Sequence, residues 1–100
     1  MLERLLKTMI IHAPTAVDAL RQALDAENFP ALVLNAHSLK ASAANLGEQG
    51  LSELCQRLEN AANANSIESC RPLVSEIEIS VSATVRKFQA KLSRQTEKVA

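Results

Sequence analysis

His37 and Lys40 stand one helical turn apart in NAHSLKASAANLGE (residues 35–48), surrounded by small side chains. The apolar positions of that segment form a regular stripe, and at about 100° per residue His37 lies roughly 130° from its centre. The imidazole is therefore expected to face solvent. Val33, Lys40, Ala41 and Ala44 fall beside it at helical spacings of three and four. An exposed imidazole is largely neutral near pH 7, because the free side chain titrates near about 6.5, and a neutral ring nitrogen is a competent nucleophile. It can accept a phosphoryl group. An ammonium one turn away can neutralise part of the incoming charge, and alanines leave room for a second protein to approach the ring closely.

The elements that must position this pair are helices. The chain of 100 residues has only two aromatic residues, two glycines and three prolines, so its apolar content of 47% is mostly alanine and aliphatic side chains. That composition suits helices better than a sheet, which needs β-branched and aromatic residues. One compact core is expected at this length. Helical patterning appears over residues 2–11, 14–27, 29–46, 50–63 and 69–94. A break is placed near Ala13 and Pro14, because proline suits a first turn, and Asn28 caps the third helix, with Pro30 early in it. Phe29, Leu32, Ala36, Leu39, Ala43 and Leu46 alternate spacings of three and four, the seam of a helix packed lengthwise. Leu51, Leu54, Cys55, Leu58, Ala61 and Ala62 repeat the pattern, as do Val74, Ile77, Val81, Val85, Phe88 and Leu92. The last helix is started near Ser69 because Pro72 lacks an N–H to donate deeper inside. These stripes argue for an all-α single domain over 1–100: an antiparallel up-and-down four-helix bundle with a short additional N-terminal helix.

Several function classes are disfavoured. Eleven basic residues balance eleven acidic ones and there is no tryptophan or tyrosine, so neither the field nor the stacking platforms of a nucleic-acid binder are present. The apolar opening MLERLLKTMII is interrupted by charge and too short to insert in a membrane. Cys55 and Cys70 do not make a disulfide framework, and a reduced thiol on an apolar stripe fits a cytoplasmic setting. Neither histidine has a second ligand at helical spacing on its own face, so no metal site is expected. His12, beside the break at Pro14, has no basic residue one turn on and reads as incidental. Glu27 and Glu59, taken as isolated acids, read as solvated.

The segment AHSLKASAANLGEQGLSELCQRLE resembles the signature of histidine-containing phosphotransfer (HPt) domains of bacterial two-component phosphorelays, in which H-x-L-K-G-S-A-x-x-x-G surrounds the phosphorylated histidine. The resemblance extends to HAPTAVDALRQAL before it and to the last long helix. It implies that His37 is the phosphoacceptor, Lys40 its charge partner, Leu39 a bundle residue, Ser42 and Ala43 small positions behind the histidine, and Gly47 the loosened helix end. It places Glu59 as a polar residue of the neighbouring helix near His37. Ala41 departs from the pattern, which has glycine there; the extra methyl group lies on the face that receives a partner. The partners implied are response-regulator receiver domains and a hybrid sensor kinase, with Mg²⁺ and its carboxylates on the receiver and no cofactor on this domain.

The resulting expectation is a monomeric carrier without kinase activity, passing a phosphoryl group between receiver aspartates through His37. Its docking face comprises Val33, Ala41, Ser42, Ala44, Gly47 and Glu59. The start at an apolar helix favours a domain excised from a larger hybrid kinase over a free-standing protein. A helical adaptor that binds receivers without being phosphorylated is the alternative. A hydrolase or metal-binding bundle would need inward Glu and His residues, where this chain has Leu, Ala, Val, Ile and Phe.

Overall fold

A computed structural model describes the backbone of residues 2–99 and the side chains of residues 4, 7 and 10–91. Four helices account for nearly all of it: α1 (Leu2–Asp25), α2 (Phe29–Asn45), α3 (Gln49–Asn63) and α4 (Ile67–Val99), with no strand among the described residues. Each helix packs against two others, in the ring α1–α2–α3–α4–α1.

The three turns between the helices share one construction. After α1, α2 and α3 the chain places Glu27, Gly47 and Asn65 at positive φ, at 50°, 76° and 57° respectively. Around each, two backbone bonds close on the carbonyls that the helix end leaves open. Glu48 donates to Ala43 at 2.8 Å and Gly47 to Ala44 at 3.1 Å; Asn28 to Ala23 and Glu27 to Leu24 repeat the arrangement, as do Ser66 to Ala61 and Asn65 to Ala62. This is the Schellman motif, which glycine and asparagine favour because a left-handed residue costs them least. After two of the turns a side chain caps the following helix: Asn28 Oδ1 accepts from the Ala31 N–H at 3.2 Å, and Ser66 Oγ accepts from the Ser69 N–H.

The expected break at Pro14 does not occur. Residues 2–11 and 14–27 do not form separate helices but one, with Pro14 inside it and exposed. The apolar phase explains this. Ile10, Ala13, Val17, Leu20 and Leu24 keep one face through the proline, and that face packs into the core. Burial along a continuous stripe outweighs a local penalty of about 3 kcal/mol for an interior proline. Pro72 is likewise accommodated within α4, which starts at Ile67 behind the Ser66 cap and not at Ser69, and runs to Val99.

The seams pack as their spacing requires. Leu32, Ala36, Leu39 and Ala43 of α2 meet Leu51, Cys55, Leu58 and Ala62 of α3 and Val74, Ile77, Val81 and Phe88 of α4 in one core; Leu92 lies outside the described side chains. Both cysteines are buried and free. At the surface, Arg21 pairs with Glu78 across α1 and α4, and Lys87 on α4 holds Glu48, at the head of α3, at 2.7 Å. The second of these pairs links the head of α3 to α4.

Candidate functional site

His37 lies on the solvent side of α2, with 66% of its side chain exposed. The buried positions Leu32, Ala36, Leu39 and Ala43 fix the rotation of the helix and so turn His37 outward. On the next helix, the same logic produces a less expected result. Glu59 follows the buried Leu58 and is itself 8% exposed, although it was expected to be solvated. An acid so placed needs partners, and α2 supplies both.

Glu59 Oε1 lies 2.9 Å from His37 Nδ1, and Oε2 lies 3.3 Å from Lys40 Nζ. The carboxylate therefore bridges the two residues that helical spacing places one turn apart. An ionised carboxylate can only accept, so the ring nitrogen facing it is the one that carries the proton. The remaining lone pair of the neutral ring is on Nε2, on the exposed side. No described residue hydrogen-bonds to that nitrogen.

Lys40 is drawn down onto α3 and only 23% of its side chain is exposed. Its shorter contact is to Gln56 Oε1 at 2.8 Å, and Gln56 Nε2 in turn donates to Asn60 Oδ1 at 3.0 Å. Cys55 lies beneath this cluster. Burial, then the Glu59 charge, push its thiol up from 9.0 to about 12, with Lys40 acting weakly in the opposite sense. The thiol stays protonated and packs as an apolar group.

The other expected site residues are distributed around this centre. Ala41 and Ala44 are exposed and Val33 is half-buried. Ser42 is exposed, not set between helices, and its hydroxyl donates to the Ser38 carbonyl one turn back at 3.3 Å. Gly47 forms the left-handed turn after α2, and nothing lies within 4 Å of where its Cβ would stand; its backbone conformation, not a close approach, calls for glycine. Glu59 is set beneath the histidine and is not part of the outer face. His12 is an exposed residue of α1, two positions before Pro14.

Sequence reasoning passed over Gln56, Asn60 and Leu34. The first two sit on the side of α3 that carries Glu59, at helical spacing from one another, a signal that becomes informative only once that side is known to meet α2. Leu34 is 70% exposed one turn before His37. With Phe29, Pro30, Val33 and Ala62 it lines an open, mostly apolar groove that reaches His37.

Among the described residues no group of three His, Cys, Asp or Glu could hold a metal ion, and no helix is long and apolar enough to cross a membrane. The site offers one exposed nucleophilic nitrogen, an acid behind the ring and an ammonium to the side.

No curated protein matches the chain in sequence. Among solved structures, the crystal structure of histidine-containing phosphotransfer protein B (HptB) from Pseudomonas aeruginosa PAO1 is similar to it. The TM-score is 0.88 at 26% identity, over 92% of this chain and 80% of that one. The Hpt domain model matches residues 4–87, a span that takes in α2, α3 and the whole Glu59-centred cluster, and the chain therefore belongs to the Hpt domain family.

Proposed function

We propose that this domain carries a phosphoryl group between receiver-domain aspartates in a multistep phosphorelay, with His37 Nε2 as the acceptor atom. The observation that carries the assignment is the Glu59 contact at Nδ1, 2.9 Å long, on a ring that is otherwise mostly exposed. One nitrogen is engaged by the protein and the other is presented to a partner.

The transfer follows from that arrangement. The Nε2 lone pair attacks phosphorus, an N–P bond forms, and the bond from phosphorus to the aspartyl oxygen breaks, its electron pair leaving on the receiver carboxylate. The Nδ1 proton stays on the ring. Glu59 faces the positive charge the ring acquires, and Lys40 is one turn away to meet the phosphoryl oxygens. Return transfer is the same displacement, with a receiver carboxylate attacking phosphorus. Positioning and charge neutralisation supply most of the catalysis in such a displacement, and a nucleophile on a packed helix is held in place for it.

The remaining carboxylates and Mg²⁺ belong to the receiver. The domain itself is a carrier and not a kinase, a reading supported by its membership of the Hpt domain family. The docking face runs from Val33 and Leu34 past His37 to Ala41 and Ala44. It is held on a monomeric, antiparallel up-and-down bundle in the cytoplasm; the tight turns between successive helices support that topology.

The test is phosphoryl transfer from a phosphorylated, Mg²⁺-loaded receiver to the wild type, His37→Gln and His12→Gln proteins. Acid-labile label is expected on wild type and His12→Gln and not on His37→Gln. Label on none of them with any receiver tried, while the receivers still bind, would replace the carrier with an adaptor.

A further inference from the structure

Lys40 is held by two acceptors of different charge, and the neutral one is closer. An ammonium has three N–H groups. One meets Gln56 Oε1 at 2.8 Å and another Glu59 Oε2 at 3.3 Å, which leaves the third for a group arriving from outside. The Gln56 amide is itself oriented. Its Nε2 donates to Asn60 Oδ1 at 3.0 Å, so its oxygen is turned toward Lys40. Gln56 and Asn60 are both exposed, and neither contributes to the core.

The difference in charge has a chemical consequence. A lysine left free on the surface spreads over many rotamers, and fixing it costs entropy at the moment of transfer. A carboxylate would fix it but cancel the charge that a phosphoryl group needs. Glu59 already spends part of its charge on Lys40 and part on His37. A neutral amide holds the ammonium in place and leaves its charge intact.

We propose that Gln56 is a positioning residue for phosphoryl transfer, holding Lys40 so that its third N–H is available to the phosphoryl oxygens on His37. The inference rests on His37 being the acceptor. It concerns a residue that never touches the reacting atoms and acts only through Lys40.

The experiment is single-turnover transfer from a phosphorylated, Mg²⁺-loaded receiver at a range of receiver concentrations. The proteins are wild type, Gln56→Met, Gln56→Glu, Lys40→Met and the Gln56→Met/Lys40→Met double variant. Gln56→Met keeps the size of the side chain and removes the acceptor. It is expected to lower the maximal rate about 3- to 10-fold, the range of one hydrogen bond, with the half-saturating receiver concentration unchanged. Gln56→Glu keeps the contact but adds a charge, and it too is expected to be slower than wild type. In the Lys40→Met background, Gln56→Met has no further effect.

A wild-type rate in Gln56→Met, or the same fall in the absence of Lys40, would overturn the proposal. A wild-type rate in Gln56→Glu would overturn its account of charge. Failure of the wild type to take label on His37 would instead remove the reading on which the proposal rests, so the two failures are distinguishable.

Discussion

The Glu59 carboxylate on α3 faces the His37 ring on α2, 22 positions earlier, at 2.9 Å from Nδ1, while its second oxygen meets Lys40 at 3.3 Å. One buried acid thus contacts both an exposed histidine and a half-buried lysine. The ring is oriented and its tautomer chosen from behind, and the lysine is kept within a turn of it.

Removing that acid should change the ring before it changes the fold. In the wild type, the neutral His37 ring is expected to be the Nδ1–H tautomer, read from its ¹⁵N ring shifts. Glu59→Ala removes the acceptor and is expected to shift the population toward Nε2–H and to slow transfer about 10-fold, the effect of one charge-assisted hydrogen bond. Glu59→Gln retains an amide oxygen for Nδ1–H and is expected to keep the tautomer. Unaltered ring shifts in Glu59→Ala would show that the 2.9 Å contact does not select the tautomer.

Lys40→Ala is expected to slow phosphoryl transfer about 10- to 100-fold, the range for one hydrogen bond to a charged group, while His37 still takes acid-labile label. Helicity should be unaffected, because Lys40 lies outside the apolar core. Equal transfer rates in wild type and variant would take the lysine out of the mechanism. Complete loss of label with loss of helicity would make its role structural.

The seams of α2 and α3 were legible because their central apolar residues, Leu32, Ala36, Leu39 and Ala43 on one and Leu51, Cys55, Leu58 and Ala62 on the other, are buried in the core, with Phe29, Leu46, Leu54 and Ala61 partly buried against it, so periodicity and burial report the same thing. The outward placement of His37 followed from the same phase. Pro14 misled because proline's cost is local, whereas the burial of Ala13 and Leu20 on either side of it is tertiary. Glu59 and Gln56 were misread or passed over for a different reason. Their partners are 22 and 16 residues away on another helix, and no spacing rule within one helix can pair them. The sequence resemblance marked a polar position near His37; the packing of α3 against α2 determines what that residue touches.

The turn after α1 is strained where the other two are not. Glu27 adopts φ 50°, a conformation that Gly47 and Asn65 supply more readily at the corresponding positions. It is exposed, and no described hydrogen bond or ion pair involves its side chain. Glu27→Gly is therefore expected to stabilise the domain by about 0.5–1 kcal/mol, with relief of the left-handed penalty exceeding the entropy that glycine adds to the unfolded chain. Urea denaturation would measure it through the midpoint. A lower midpoint at unchanged m-value would show that the turn carries no such strain.

Cys55 gives the domain a pH dependence with a definite sign. Its thiol is pushed from 9.0 to about 12, first by burial and then by Glu59, so the folded state holds the proton more tightly than the unfolded chain does. The resulting stability is complete below pH 9 and is lost as pH rises from 9 toward 12, because the unfolded thiol ionises first. Between pH 9 and pH 10 the wild type is expected to lose about 1 kcal/mol more than Cys55→Ala, the integral for one group over that interval. At pH 7 the linkage makes no difference between them, and any gap there reports the methyl-sized change in packing. In the same window a thiol reagent such as an aromatic disulfide is expected to leave the native protein unmodified and to react once it is unfolded, since attack requires an accessible thiolate. Parallel pH profiles for the two proteins above pH 9 would mean that Cys55 ionises as easily in the bundle as outside it, and that Glu59 lies in a wetter environment than its burial indicates.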